Sequence, residues 1–313
     1  MPARGRREGP FSKLIIHDCP HLHLHNPLPP STIDLELSIV NVSTLPTLKG
    51  SSSGILTIQP PNDYNDVPDK LITLDDSVMS FHNLRFLTGL VILHGLQNLA
   101  SISFHGLRQL ICLKTSKIYN FPELLSSNVP SELAGEYMSG ANHRVLPSLE
   151  RLHIEDCGIM GKWLSLMLQH AHALQELILE GCWQITGLSI GEEENSQPNL
   201  MPAMEDPSLG YPDRDELLRP PLNLIYSLKT VSIKCCADLT FYGSKVDFAG
   251  FTSLEKLVIS QCPKLLSFLA HNDGNDEQSN GRWFLPLSLG ELEIEHVDSL
   301  KTLQLCFPGN LTR

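Results

Sequence analysis

Cysteine, histidine and serine stand in this sequence at spacings that could support chemistry, and each arrangement has a specific structural requirement. His21, His23 and His25 alternate with leucines, so an extended backbone would put three imidazoles on one face, as a metal clip needs. The leucines decide against it: Leu22 and Leu24 belong inward, which leaves the histidines in solvent. The Gly187-Leu-Ser189-Ile-Gly191 stretch has the spacing of a nucleophile elbow, which needs a sharp strand-to-helix turn around the serine. Here it runs into Glu192, Glu193 and Glu194 with no helical pattern, and a loop is expected. Gly158, Gly161 and Lys162 are the nearest approach to a phosphate-binding loop, with the wrong spacing and no hydroxyl for Mg²⁺. No catalytic, cofactor or metal site is expected, and the chain is read as a non-enzyme. The sequons at Asn41 and Asn310 should be unused, because no apolar signal segment follows Met1.

The eight cysteines are dispersed along 313 residues with no C-x-x-C pair, which argues against both a disulfide framework and a zinc site. Five of them recur in one frame. LERLHIEDCGIM places Leu149, Leu152, Ile154, Cys157 and Met160. The same spacing returns at Leu174, Leu177, Leu179, Cys182 and Ile185; at Leu228, Val231, Ile233, Cys236 and Leu239; and at Leu254, Leu257, Ile259, Cys262 and Leu265. Leu289, Leu292, Ile294, Val297 and Leu300 repeat it with valine in the cysteine slot, and Phe11, Leu14, Ile16, Cys19 and Leu22 fit near the start. Weaker copies cover Leu37 to Leu45 and Leu113 to Leu124, the latter with Ser116 in a leucine slot. Coils around Leu56, and between Leu87 and Phe104, have an ambiguous frame. A cysteine fixed in a repeat is architectural: it packs as a small hydrophobe and donates weakly where the chain leaves a strand. Cys19, Cys157, Cys182, Cys236 and Cys262 are therefore structural residues.

The step from Leu152 to Leu177 is 25 residues, the period of a leucine-rich repeat. Each Leu-x-Leu is a short strand, and successive strands stack in parallel because one coil cannot bury its leucines alone. The expected fold is an α/β leucine-rich-repeat solenoid, a curved horseshoe. Its parallel β-sheet lines the concave face, and loops, short helices or irregular coils form the convex face. Leu164, Met167, Leu168 and Ala171 have helical spacing on that convex side. Residues 1–10 read as a disordered basic tail and 11–313 as a single domain, with insertions near 60–70, 126–146, 191–221 and 271–286. Apolar residues make up 42% of the chain, enough for most of it to fold, while a net charge of −12 argues against general affinity for nucleic acid or anionic membrane. No apolar run is long enough to span a bilayer.

Strand residues alternating with the leucines face outward and are the candidate protein contacts: Arg151, His153, Glu155, Glu176, Glu180, Lys234, Lys256, Glu291, Glu293 and Glu295. Arg151 should stand beside Glu176 and Lys256 beside Glu291, as opposite charges. Glu155 beside Glu180 is repulsive, and a basic partner would relieve it.

The copies LERLHIEDCGIM, LQELILEGCWQI, LKTVSIKCCADL and LEKLVISQCPKL resemble the repeat region of plant nucleotide-binding leucine-rich-repeat disease-resistance proteins. The Cys-Pro-x-Leu endings at Cys19 and Cys262 are especially similar to that family's cytoplasmic repeat. The resemblance implies a sensing or autoinhibitory module in plant defence, located in the cytoplasm or also the nucleus. Its partner would be a pathogen effector, a guarded host protein or a nucleotide-binding switch domain. The family's own nucleotide-binding motif does not occur here, so neither ATP hydrolysis nor full receptor signalling is expected. The chain stops at Gly309–Arg313 as if starting another repeat, which suggests a fragment or a truncated decoy paralogue. The rival reading is the substrate-recognition region of a ubiquitin-ligase adaptor, which would carry an F-box ahead of the repeats.

Overall fold

The computed structural model describes residues 35–39, 54–58, 72–74, 81–85, 87–92, 99–102, 104–121, 146–190, 216–242, 248–267, 282–296 and 304–306. Cys19, the histidines at 21–25, the basic tail, both sequons and most of each expected insertion lie outside them. The chain forms two compact units, Met1–Phe121 with His143–Leu149, and Pro122–Asn142 with Glu150–Arg313. The architecture is α/β, with mostly parallel β-sheet and few helices.

The first unit holds strands β1 (Leu35–Ile39), β2 (Gly54–Ile58), β3 (Ile72–Leu74), β4 (Leu87–Ile92), β5 (Leu99–Ile102) and β6 (Thr115–Phe121), with helix α1 (Phe104–Gln109) between the last two. Strands β1, β2, β4 and β6 lie side by side in that order, and β3 pairs separately with β5. The ladder settles the ambiguous frame: Leu37, Leu56, Leu90 and Ser116 fall opposite one another, followed by Ile39, Ile58, Ile92 and Ile118. A register shift at Gly54–Ile55 absorbs the irregular spacing between β2 and β4. Ser116 is buried in its leucine slot, as are Leu90, Ile92 and Ile118.

The second unit carries the regular repeat. Strands β7 (Arg151–Cys157), β8 (Glu176–Glu180), β11 (Thr230–Lys234), β13 (Lys256–Ser260) and β15 (Glu291–Glu295) are neighbours in that order, all parallel. Leu152, Leu177, Val231, Leu257 and Leu292 form one cross-strand row; Ile154, Leu179, Ile233, Ile259 and Ile294 form the next. Both rows are buried on β7 to β13 and half-buried on β15, which among the described residues pairs with a strand on one side only. Two-residue alternation explains this directly: a repeated frame in parallel register stacks like slots upon like.

The chain leaves each strand through one device that recurs. Asn120, Asp156, Gly181, Cys235, Gln261 and His296 all have φ between 49° and 60°, in the left-handed region. Each stands immediately before the cysteine slot. The left-handed residue turns the backbone so that the next side chain points inward, and its own amide reaches the adjacent strand. Gly181 N–H donates to the Lys234 carbonyl at 2.9 Å, Cys235 N–H to Ser260 at 2.9 Å and Gln261 N–H to Glu295 at 3.1 Å. Cys157, Cys182, Cys236 and Cys262 are buried behind these turns. Each thiol donates to the carbonyl two residues earlier, at 3.1 to 3.7 Å. Cys182 also reaches the Ile154 carbonyl, and Cys262 that of Ile233. Burial pushes the Cys182 thiol far up, and a hydrogen bond with Cys262 followed by burial does the same to Cys236. Cys182 and Cys236 are thereby held protonated, while the same hydrogen bond lowers the Cys262 thiol. At the opposite end of the strands, serines ahead of the first leucine clip neighbouring turns: Ser227 Oγ donates to Leu174, Ser253 Oγ to Tyr226 and Ser288 Oγ to Leu254.

Helix α2 (Gly161–His170) follows β7 and buries Leu164, Met167 and Leu168, as their spacing predicts with Ala171 just beyond the helix, and it also buries Trp163. In the first copy the last inward position falls to Ile159, buried, and not to the half-buried Met160. Three two-residue strands, β9 (Gly187–Leu188), β10 (Leu217–Leu218) and β12 (Thr240–Phe241), make a second small parallel sheet with β9 in the middle. Short helices α3 (Leu222–Ile225) and α4 (Pro263–Ser267) lead into β11 and out of β13, and β14 (Arg282–Phe284) pairs with β16 (Gln304–Cys306). The β10 strand comes at the end of the long segment that follows β9 in the chain. It docks on the start of α2, where the Arg219 amide donates to Ser165 Oγ at 2.7 Å.

Candidate functional site

The outward residues of β7, β8, β11, β13 and β15 form one continuous face because the register that aligns the leucines also aligns everything between them. Three rows result. Arg151, Glu176, Thr230, Lys256 and Glu291 lie at the starts of the strands; His153, Ile178, Ser232, Val258 and Glu293 in the middle; Glu155, Glu180, Lys234, Ser260 and Glu295 at the ends. All ten charged or imidazole-bearing candidates of the sequence reading thus share this face. They carry six carboxylates against three basic side chains.

The relief of the face was not legible beforehand. Ser232, Val258 and Ser260 are buried although they point away from the core, as short side chains set among longer ones on neighbouring strands. They form a low floor, with charged residues at both ends of the sheet. At one end, Lys256 hydrogen-bonds Glu291 and lies 3.8 Å from Glu293. The hydrogen bond to Glu291 holds the lysine above its ordinary range. Arg151 and Glu176 stand directly opposite each other, yet they form no ion pair among the described residues. Register brings the backbones together, but exposed side chains close only if attraction exceeds their rotamer entropy.

At the other end the register sets Glu155 beside Glu180, and alternation places His153 on the same side of the same strand. The imidazole Nε2 lies 3.4 Å from the Glu155 carboxylate. Donor atoms of His153, Glu155 and Glu180 lie within 4.8 Å of one another, the one such group among the described residues. An imidazole and two carboxylates converging like this attract a cation, whether an ammonium, a guanidinium or a divalent ion. Glu155 is pushed above its ordinary value by partial burial first, then by the charges of Glu180 and Asp156.

A carboxyl raised on folding weakens the folded state once ionised. Stability therefore falls as pH rises through the raised value, and the penalty disappears as pH drops towards the ordinary 4.5. Glu155→Gln should accordingly melt higher than the parent at neutral pH, with the difference closing below about pH 4.5. Melting curves across that range test this; a difference that does not change with pH would count against it.

The other sequence candidates sit elsewhere. Ser189 is buried just past β9, its amide donating to Leu218 at 3.0 Å, so the Gly-x-Ser-x-Gly stretch begins as a sheet strand. Gly161 opens α2 beneath β10 and serves packing there. Sequence reasoning missed the left-handed residues, although their slot shows a signal: asparagine, aspartate and glycine, the residues that tolerate positive φ best, fill three of its six occurrences. No protein-family model matches the chain, and neither a curated protein nor a solved structure matches it.

Proposed function

We propose that this chain is a non-catalytic protein-interaction module, a leucine-rich-repeat solenoid with its parallel sheet on the concave face. Its role would be that of the sensing or autoinhibitory repeat region of a plant disease-resistance protein, acting in the cytoplasm or nucleus. The partner is a pathogen effector, a guarded host protein or a nucleotide-binding switch domain. One observation carries this reading: five parallel strands place the same slots of one repeat opposite one another. On the first four of them the leucine or valine, isoleucine or leucine, and cysteine slots are buried behind the sheet, and an acid-rich face is left in front. A surface so composed has side chains suited to recognition and keeps its repeat thiols buried behind the strands.

The test is capture of each partner class from plant cells by the full chain and by the double variant Glu155→Lys, Glu180→Lys. Both side chains sit on the open face, so reversal should leave folding intact while it repels a basic partner. Capture is expected to be lost. Undiminished capture by the double variant would refute the role of this face.

A further inference from the structure

We propose that Cys236 and Cys262 are a redox-responsive pair. Exposed to a peroxide, they join as one disulfide that staples the coil of β11 to the coil of β13, while the other stacked thiols stay unpaired. The inference goes beyond the interaction reading and is independent of it, because both thiols are buried behind the sheet and not on its open face.

The geometry comes from the stacking of the two coils. Ile233 lies opposite Ile259 and Lys234 opposite Ser260. The stacking continues past the strand ends, where the Cys235 amide donates to Ser260 and the Cys235 thiol to the Gln261 side chain, both at 2.9 Å. Cys236 and Cys262 follow at one level of adjacent coils. A coil step of about 4.8 Å falls within the Cα separations of about 4.4–6.8 Å that a disulfide accepts. Both side chains turn inward to one spot. Cys262 Sγ reaches across to the Ile233 carbonyl at 3.6 Å, and Cys236 Sγ lies 3.3 Å from the next carbonyl, that of Lys234. The two thiols are free and share a hydrogen bond, which raises Cys236 and lowers Cys262. Cys182 is different: its hydrogen bonds, at 3.8 and 3.7 Å, go to the carbonyls of Ile154 and Glu180, and burial dominates its thiol.

The chemistry balances with a peroxide as the oxidant. The Cys262 sulfur, deprotonated, attacks one peroxide oxygen and the O–O bond breaks, leaving a sulfenic acid on Cys262. The departing hydroxide takes up the proton that the thiol released and leaves as water. The Cys236 sulfur then attacks the sulfenic sulfur: the S–S bond forms, the S–O bond breaks, and hydroxide leaves with the Cys236 proton as a second water. Two thiols give up two electrons and two protons, and the peroxide gains them. Cys262 is fully buried, so the first attack waits for a local opening of the turn at Gln261. The exposed Cys235 should therefore react sooner than the pair. In a reducing compartment such a bond is transient, formed under oxidation and undone by thiol–disulfide exchange.

The test uses the full chain carrying Cys235→Ser, which keeps the exposed thiol out of the products. Dilute protein is treated with hydrogen peroxide, then denatured in the presence of an alkylating agent and mapped by mass spectrometry. The expected product is one cross-link, Cys236 to Cys262, lighter by two hydrogens and reversed by dithiothreitol. Hydrogen exchange of the amides between β11 and β13 should slow by at least about ten-fold on oxidation and recover on reduction. Cys262→Ala should remove both effects. The mapping itself is read with all four stacked thiols in place, so a variant that fails to fold does not decide it. Three results overturn the proposal: no cross-link at peroxide concentrations that fully oxidise Cys235 in the parent chain; a Cys157–Cys182 cross-link formed as readily; or Cys262 converted to a sulfinic acid while Cys236 stays free. None of them alters partner capture by the open face, so the interaction reading stands or falls by its own experiment.

Discussion

Leu257→Ala should lower the stability of the second unit by about 2–5 kcal/mol. Leu257 is fully buried on β13, between Val231 on β11 and Leu292 on β15. Removing its isobutyl group loses the transfer free energy of those carbons. It also leaves a cavity that two flanking strands, held by their own ladders, cannot collapse to fill. The same truncation at Leu292 should cost clearly less, because that residue is only half-buried on β15. Urea denaturation of both variants, followed by circular dichroism, checks the pair. Equal losses at the two positions would mean that Leu257 is not enclosed as described. The comparison also ranks the forces: exposed ion pairs on the open face contribute at most a small part of what one inward leucine contributes.

Gly161→Ala is the second large effect, and its cause is steric. A Cβ on Gly161 would lie 2.4 Å from the Glu216 carbonyl oxygen, 2.4 Å from the Leu217 carbonyl carbon and 2.6 Å from the Leu218 nitrogen. All three are backbone atoms, so no rotamer change relieves the overlap. Either α2 or β10 must move, and overpacking of this kind costs about 1–3 kcal/mol. The damage should be local. The Arg219 amide, bonded to Ser165 Oγ, and the Ser189 amide, bonded to Leu218, should lose protection from hydrogen exchange. Amides between β11 and β13 should keep theirs. Uniform loss across the unit would show that β10 docking is not a separable feature.

Some of this molecule follows from the linear pattern with little ambiguity. Leu152, Leu177, Val231, Leu257 and Leu292 had to share a row once their frame recurred, because strand side chains alternate with a period of two. The neighbours Glu155 and Glu180, and Lys256 and Glu291, follow from the same register. The frame around Leu56 and Leu90 did not: LTGLVI is apolar at too many positions to fix its inward set, and the pairing with Ser116 and Ile118 settles it.

The sequence by itself thus determined which residues face the core, which stand outward, and that the recurring cysteines are architectural. These are local properties of a short repeated stretch, so each copy restates them. Only the tertiary structure decided the rest. Cys235 and Gln261 adopt positive φ where the adjacent strand offers a carbonyl to their amides, a partner far away in the chain. Val258 and Ser260 are buried on the open face because of what their neighbouring strands carry. Gly161 is needed because a strand more than fifty residues later lies against it. Each of these depends on groups brought together by packing, which neither spacing nor composition records.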